Sequence, residues 1–104
     1  MRPNVAVVIR SFRHKGLRTF HRDDDPSLLS RDLVPRIRGR LSALESANTL
    51  EDLNIPGFDL HKLRGKPVRY SAHVNGPWCI TFEWSDGEAL RVDLENHHER
   101  KSAR

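Results

Sequence analysis

Between Val68 and Leu94 the apolar residues fall on every second position, and this alternation constrains the fold more than any other feature of the chain. Val68, Tyr70, Ala72 and Val74 alternate with Arg69, Ser71, His73 and Asn75. Trp78, Ile80, Phe82 and Trp84 alternate with Cys79, Thr81 and Glu83, and Leu90, Val92 and Leu94 with Arg91, Asp93 and Glu95. Successive strand side chains point to opposite faces, so each run has one apolar and one polar face. Asn75-Gly76-Pro77 and Ser85-Asp86-Gly87 carry turn chemistry, with Asp-Gly the stronger hairpin signal. The pattern predicts an antiparallel meander with one apolar face. Phe58 and Leu60 alternate with Asp59 and His61, which predicts a further strand leading into it.

An apolar sheet face must be covered, and the preceding residues supply the cover. Leu33, Val34, Ile37, Leu41 and Leu44 recur at helical spacing. Ser30 is the expected cap, Asp32 lies in the first turn, and Pro35 fits only near the start. Arg31, Arg36, Arg38 and Arg40 form a ridge on the opposite side. An earlier helix is expected over Arg13–His21, with Leu17 and Phe20 inward, ended by the acidic turn Asp23-Asp24-Asp25-Pro26. Val5–Phe12 is rich in β-branched residues and reads as a strand. Thr49 is placed to cap a short turn through Leu53, with Asp52 at its third position. The expected fold class is therefore α+β, β-α-α-β-β-β, with two N-terminal helices on one face of a small, mainly antiparallel sheet. The other face, carrying His61, Arg69, Ser71, His73, Cys79, Thr81, Arg91 and Asp93, is expected to meet water.

At 104 residues the chain is read as one domain over 1–104, with 1–7 as an N-terminal extension and 99–104 as a frayed tail. Its longest apolar run, Val5 to Ile9, is too short to span a membrane or form a signal-peptide core. Cys79 is the single cysteine, which rules out an intrachain disulfide and a cysteine-based zinc site and suits the reducing cytoplasm. Eighteen Lys and Arg against fourteen Asp and Glu give a net charge of +4. Residues 1–69 hold fourteen cations and eight acids; residues 70–104 hold four and six. A basic N-terminal part rich in arginine points to nucleic acid or an acidic partner.

Several segments, in order, resemble the HigB toxins. Ile9 to Leu17 resembles the family's start, and Arg40–Ala47 followed by Thr49–Asn54 its central part. Leu60-His61-Lys62-Leu63-Arg64-Gly65 is similar to the family's Leu-His-Pro-Leu-Lys-Gly. Trp78-Cys79-Ile80-Thr81-Phe82 is similar to Trp-Arg-Ile-Thr-Phe. Asp86-Gly87 and Glu95-Asn96-His97-His98 resemble the family's Asp-Gly and its Glu-Asp-Tyr-His ending. The resemblance implies a RelE-like fold and the toxin of a type II toxin–antitoxin pair that cleaves mRNA on the ribosome. It also implies a HigA-like helix-turn-helix antitoxin, with DNA reached only through that partner and no membrane. Three departures fall in the presumed active region: Cys79 for Arg, Asn96 for Asp and His97 for Tyr. Lys62 for Pro and Tyr70 for Trp are milder.

Cleavage that uses the substrate's own 2′-OH needs no metal or other cofactor. It needs a base for the hydroxyl proton, an acid for the leaving oxygen and cations for the phosphorane. Histidine suits both proton roles near neutral pH. The expected catalytic set is His61 and His98, which occupy the family's motif histidines, with Arg64, His97 and Asn96. Lys62, Lys66, Arg69 and His73 are the expected RNA contacts, Arg69 standing in for the phosphate contact that Cys79 cannot make. Cys79 itself reads as a small strand residue, because no adjacent group would lower its pKa. A metal site from Asp93, His97 and His98 is disfavoured, since adjacent histidines on an extended chain point apart. Two alternatives stand beside an active endonuclease. One is a weakened relative that only binds its antitoxin; the other is a toxin of the same fold that poisons gyrase, as ParE relatives do.

Overall fold

The computed structural model describes residues 9–96. Val5 to Val8 of the expected first strand, both terminal segments, His97 and His98 lie outside the described residues.

Two helices precede a four-stranded sheet. Helix α1 spans Lys15–Asp23 and α2 spans Val34–Ser46. Strands β1 (His61–Lys62), β2 (Tyr70–Asn75), β3 (Trp78–Ser85) and β4 (Glu88–Asn96) pair antiparallel in the order β1-β2-β3-β4. Ile9 and Phe12 bridge to Ala89 and Val92 in parallel, so the N-terminal segment lies along the outer edge of β4. The architecture is α+β, as the alternation and the helical stripe predict.

Each helix start has a physical cause. The His14 side chain accepts the Leu17 N–H at 3.2 Å and caps α1. Gly16 is required by space: a Cβ there would come within 2.9 Å of His14 Cε1 and 3.1 Å of the Leu28 carbonyl oxygen. Ser30 begins a 3-10 turn, Arg31–Leu33, without a side-chain cap, and α2 follows with Pro35 in its first turn. The missing N–H of proline costs nothing at that position. Thr49 and Asp52 form the expected reciprocal capping box around the 3-10 turn Leu50–Leu53.

Leu17 and Phe20 of α1 join Ile37, Leu41 and Leu44 of α2 over Ala72, Val74, Ile80, Phe82 and Val92 of the sheet, all buried. Burial of each large side chain stabilises by roughly 1.5–3 kcal/mol. The apolar strand face is the one the helices cover, and His61 and His73 are not beneath them.

Four expectations are corrected. No strand runs through Phe58–Leu60, because Asp59 adopts φ +46° and breaks the extension; only His61 and Lys62 pair. Leu90 does not join Val92 and Leu94. The β3–β4 register shifts between Thr81 and Glu83, Arg91 sits at φ +47°, and Ala89 takes the core position opposite Trp84. One extra residue in a strand inverts the alternation beyond it, which sequence periodicity does not reveal. The polar face is not simply solvated, for Ser71 and Thr81 are fully buried. Finally, Arg40 leaves the outer ridge. It stacks over Phe58 with 4.5 Å to the ring centroid and donates to the carbonyls of His73 (2.8 Å) and Gly57 (3.3 Å). Burial, with the neighbouring Arg36 charge, lowers the Arg40 pKa from its ordinary value.

Candidate active site

Register aligns the polar face into rows. His61 pairs with Ser71, Ser71 with Thr81, and Thr81 with Asp93; beside them, His73 pairs with Cys79 and Cys79 with Glu95. Directly opposed residues share a face, so His61 stands at the open end of a polar row.

Beneath the rows lies a connected network. Glu83 accepts from Arg69 Nη1 at 3.2 Å and from Arg91 Nη1 at 2.9 Å. Arg69 Nη2 donates to Thr81 Oγ1 (3.0 Å) and to the Arg91 carbonyl (2.9 Å). The Thr81 hydroxyl in turn donates to Glu95 Oε2 at 2.6 Å. The Arg69 and Glu83 side chains are only 11% and 15% exposed, so this pair is locked into the sheet. Arg69 is thus anchored through both terminal nitrogens, and only its buried Nε lacks a partner.

A cleft of about 280 Å³ opens on this face. One wall is the loop 63–67 with Arg64 and Lys66, closed by the Leu63 N–H on the Arg69 carbonyl at 2.8 Å. The floor holds Arg69 and Glu95, and Arg13 stands in the lining as well. Four cations therefore surround one carboxylate, an arrangement suited to a phosphodiester anion.

His61 is exposed at the root of that loop. Its Nδ1 lies 2.9 Å from the Asp59 carbonyl. A carbonyl can only accept, so the neutral ring holds its proton on Nδ1 and offers the Nε2 lone pair. His73 is committed differently: its Nε2 donates to the Gly76 carbonyl at 3.0 Å, within the β2–β3 turn. Lys62, exposed, pairs opposite Tyr70 at the sheet edge. Asn96 pairs opposite Trp78 and does not line the cleft, whereas its neighbour Glu95 does. Cys79 is buried. Burial pushes its thiol pKa up, the nearby Ser71 hydroxyl opposes the rise, and the Asp59 and Glu95 charges add to it. A neutral thiol there is a packing residue, as its sequence context implies.

The cleft thus brings together Arg64, Lys66 and Arg69; His61, two residues before the loop, is not part of its lining. Arg13 and Glu95 lie in segments that resemble the family, but sequence assigns neither a role in the site. Ile9 and Phe12, three residues apart, set no strand alternation from which the position of Arg13 could be read. Among the described residues no group of three His, Cys, Asp or Glu side chains is placed to hold a metal ion. No helix among them is long and apolar enough to cross a membrane.

A family model described as the RelE-like toxin of the type II toxin–antitoxin system HigB matches residues 10–97. The chain belongs to the HigB-like toxin family. This toxin is 35% identical to Endoribonuclease HigB of Proteus vulgaris over 92 residues, 88% of this chain and 100% of that protein. It is 32% identical to Toxin HigB-1 of Vibrio cholerae over 89 residues, 83% of this chain and 94% of that one. As the toxin of a type II system, it has an antitoxin as its partner.

Proposed function

We propose that this toxin is a ribosome-dependent endoribonuclease that cuts mRNA by metal-independent acid/base chemistry in the cytoplasm. The observation that carries the reading is His61 at the root of the cationic loop, with its ring oriented by the Asp59 carbonyl. In this reading the His61 Nε2 lone pair exchanges a proton with the substrate. His98 supplies the second proton transfer, with His97 and Asn96 preceding it in sequence. Arg64 and Lys66 hold the phosphate, Lys62 and His73 touch flanking RNA, and Arg69 braces the floor. The name of the Proteus vulgaris relative supports the activity class. The neutralising partner is a HigA-like helix-turn-helix protein, through which alone the toxin meets DNA.

The test maps mRNA 5′ ends in bacteria expressing the chain or His61→Ala. New ends within translated codons, lost in the variant, are the expected result. Equal cleavage by both would remove His61 from the chemistry. No new ends from the wild type would favour a weakened, antitoxin-binding relative, the reading to which the buried, neutral Cys79 lends weight.

A further inference from the structure

The cleft has more than one source of positive charge. Arg64 and Lys66 come from the loop between β1 and β2, and Arg69 from the end of that loop. Arg69 cannot reorganise around a substrate without abandoning Glu83, Thr81 and the Arg91 carbonyl. Cys79 brings no charge. Arg13, the remaining cation of the lining, comes from a different part of the chain.

Its backbone is fixed: the Arg13 N–H donates to the Val92 carbonyl at 2.8 Å, one residue beyond the Phe12–Val92 bridge. Its side chain is not fixed. The side chain is 53% exposed and its one ion pair among the described residues, from Nη1 to Asp93 Oδ2, spans 3.9 Å. That distance is beyond direct hydrogen bonding and leaves the donors available. A rigid backbone with a loosely held guanidinium beside a cleft is suited to closing on an incoming phosphate. A fork of N–H donors can meet two phosphate oxygens, and the charge-assisted bonds are shorter and stronger than the existing Asp93 contact.

We propose that Arg13 is a phosphate-binding residue of this active site, gripping the substrate backbone from the segment that runs beside β4 into α1 while Arg64 and Lys66 grip it from the loop. The inference rests on the endoribonuclease reading for its substrate, but its test is independent of cleavage. The full-length chain is titrated with a labelled 2′-O-methyl RNA hexanucleotide, which lacks the attacking hydroxyl, over a range of salt concentrations. Arg13→Ala is expected to flatten the log–log salt dependence by about one, the change for one lost phosphate contact. Arg13→Lys is expected to restore that slope, and Arg22→Ala on α1 to leave it unchanged. Should Arg13→Ala fold poorly, Asp93→Asn gives the complementary reading: with its competitor neutralised, Arg13 binds the oligonucleotide more tightly. Wild-type slope and affinity in both Arg13→Ala and Asp93→Asn would overturn the proposal. In ribosome-dependent cleavage, Arg13→Ala should lower kcat by ~10²-fold or more, as for loss of an oxyanion donor. A wild type that binds the oligonucleotide through Arg13 yet never cuts mRNA would sink the endonuclease reading and leave the Arg13 assignment intact.

Discussion

At the scale of single residues, the proposed roles divide between groups that exchange protons and groups that hold the floor in place. If His61 transfers a proton as proposed, His61→Ala removes that group, and such losses cost ~10²–10⁴ in rate. The variant should fold, bind its antitoxin and fail to arrest growth; arrest equal to wild type would exclude the role. His98→Ala is expected to behave alike. Arg69→Ala acts on stability instead. It leaves Glu83 mostly buried with Arg91 as its surviving partner and strips a donor from Thr81. Breaking a buried pair from one side costs about 3 kcal/mol or more, which urea unfolding would show as a lower midpoint at unchanged slope. His61 stands out in the sequence because its motif has a fixed order of residues, and the structure places it opposite Ser71 on the polar face. It could not show that Arg69 is consumed by Glu83, Thr81 and the Arg91 carbonyl, since that depends on register across three strands. The place of Arg13 depends instead on the parallel bridging of Ile9 and Phe12 to β4, which carries no periodic signal.

At the scale of elements, periodicity identified both helices and the three long strands and failed where one residue breaks the period. Asp59 and Arg91, both at positive φ, are those residues, and neither is a glycine that would have signalled the turn. The Thr49–Asp52 capping box was legible, because its two side chains sit three positions apart and act locally. It carries a pH signature. Backbone N–H groups of Asn48 and Thr49 donate to the Asp52 carboxylate at 2.9 and 3.1 Å and lower its pKa below the ordinary value. A lowered folded-state pKa stabilises the fold above the unfolded-state pKa, and that contribution is lost as pH falls through the folded value. Asp52→Asn should therefore be less stable than wild type at neutral pH. The difference should shrink as the pH drops below about 4, where the unfolded carboxyl is already protonated. A difference independent of pH, measured by thermal unfolding across that range, would exclude the ionised carboxylate as its source.

At the scale of the whole molecule, much of the positive charge of residues 1–69 is gathered in two places. Part of it lines the cleft as Arg13, Arg64, Lys66 and Arg69. The other part lies on α2 and the turn before it, but not as the uniform ridge that helical spacing suggests. Arg40 is drawn against Phe58 and β2, and Arg38 is paired with Asp24 at 3.0 Å and stacked over Phe20. Arg31 and Arg36 remain exposed, with no ion pair to any described residue. If these two guanidiniums seat the toxin on ribosomal RNA, removing them should affect docking and spare the chemistry. The double variant Arg31→Glu, Arg36→Glu should bind ribosomes more weakly, with a shallower dependence on salt, because fewer counterions are released per complex. Its affinity for the short 2′-O-methyl oligonucleotide should match wild type, since neither residue lines the cleft. Exposed ion pairs and single surface charges contribute little to stability, so its unfolding midpoint should stay near the wild-type value. Ribosome sedimentation with wild-type salt dependence in the double variant would take electrostatic docking away from α2. The cleft and the unassigned cations of α1 would then be left as its source.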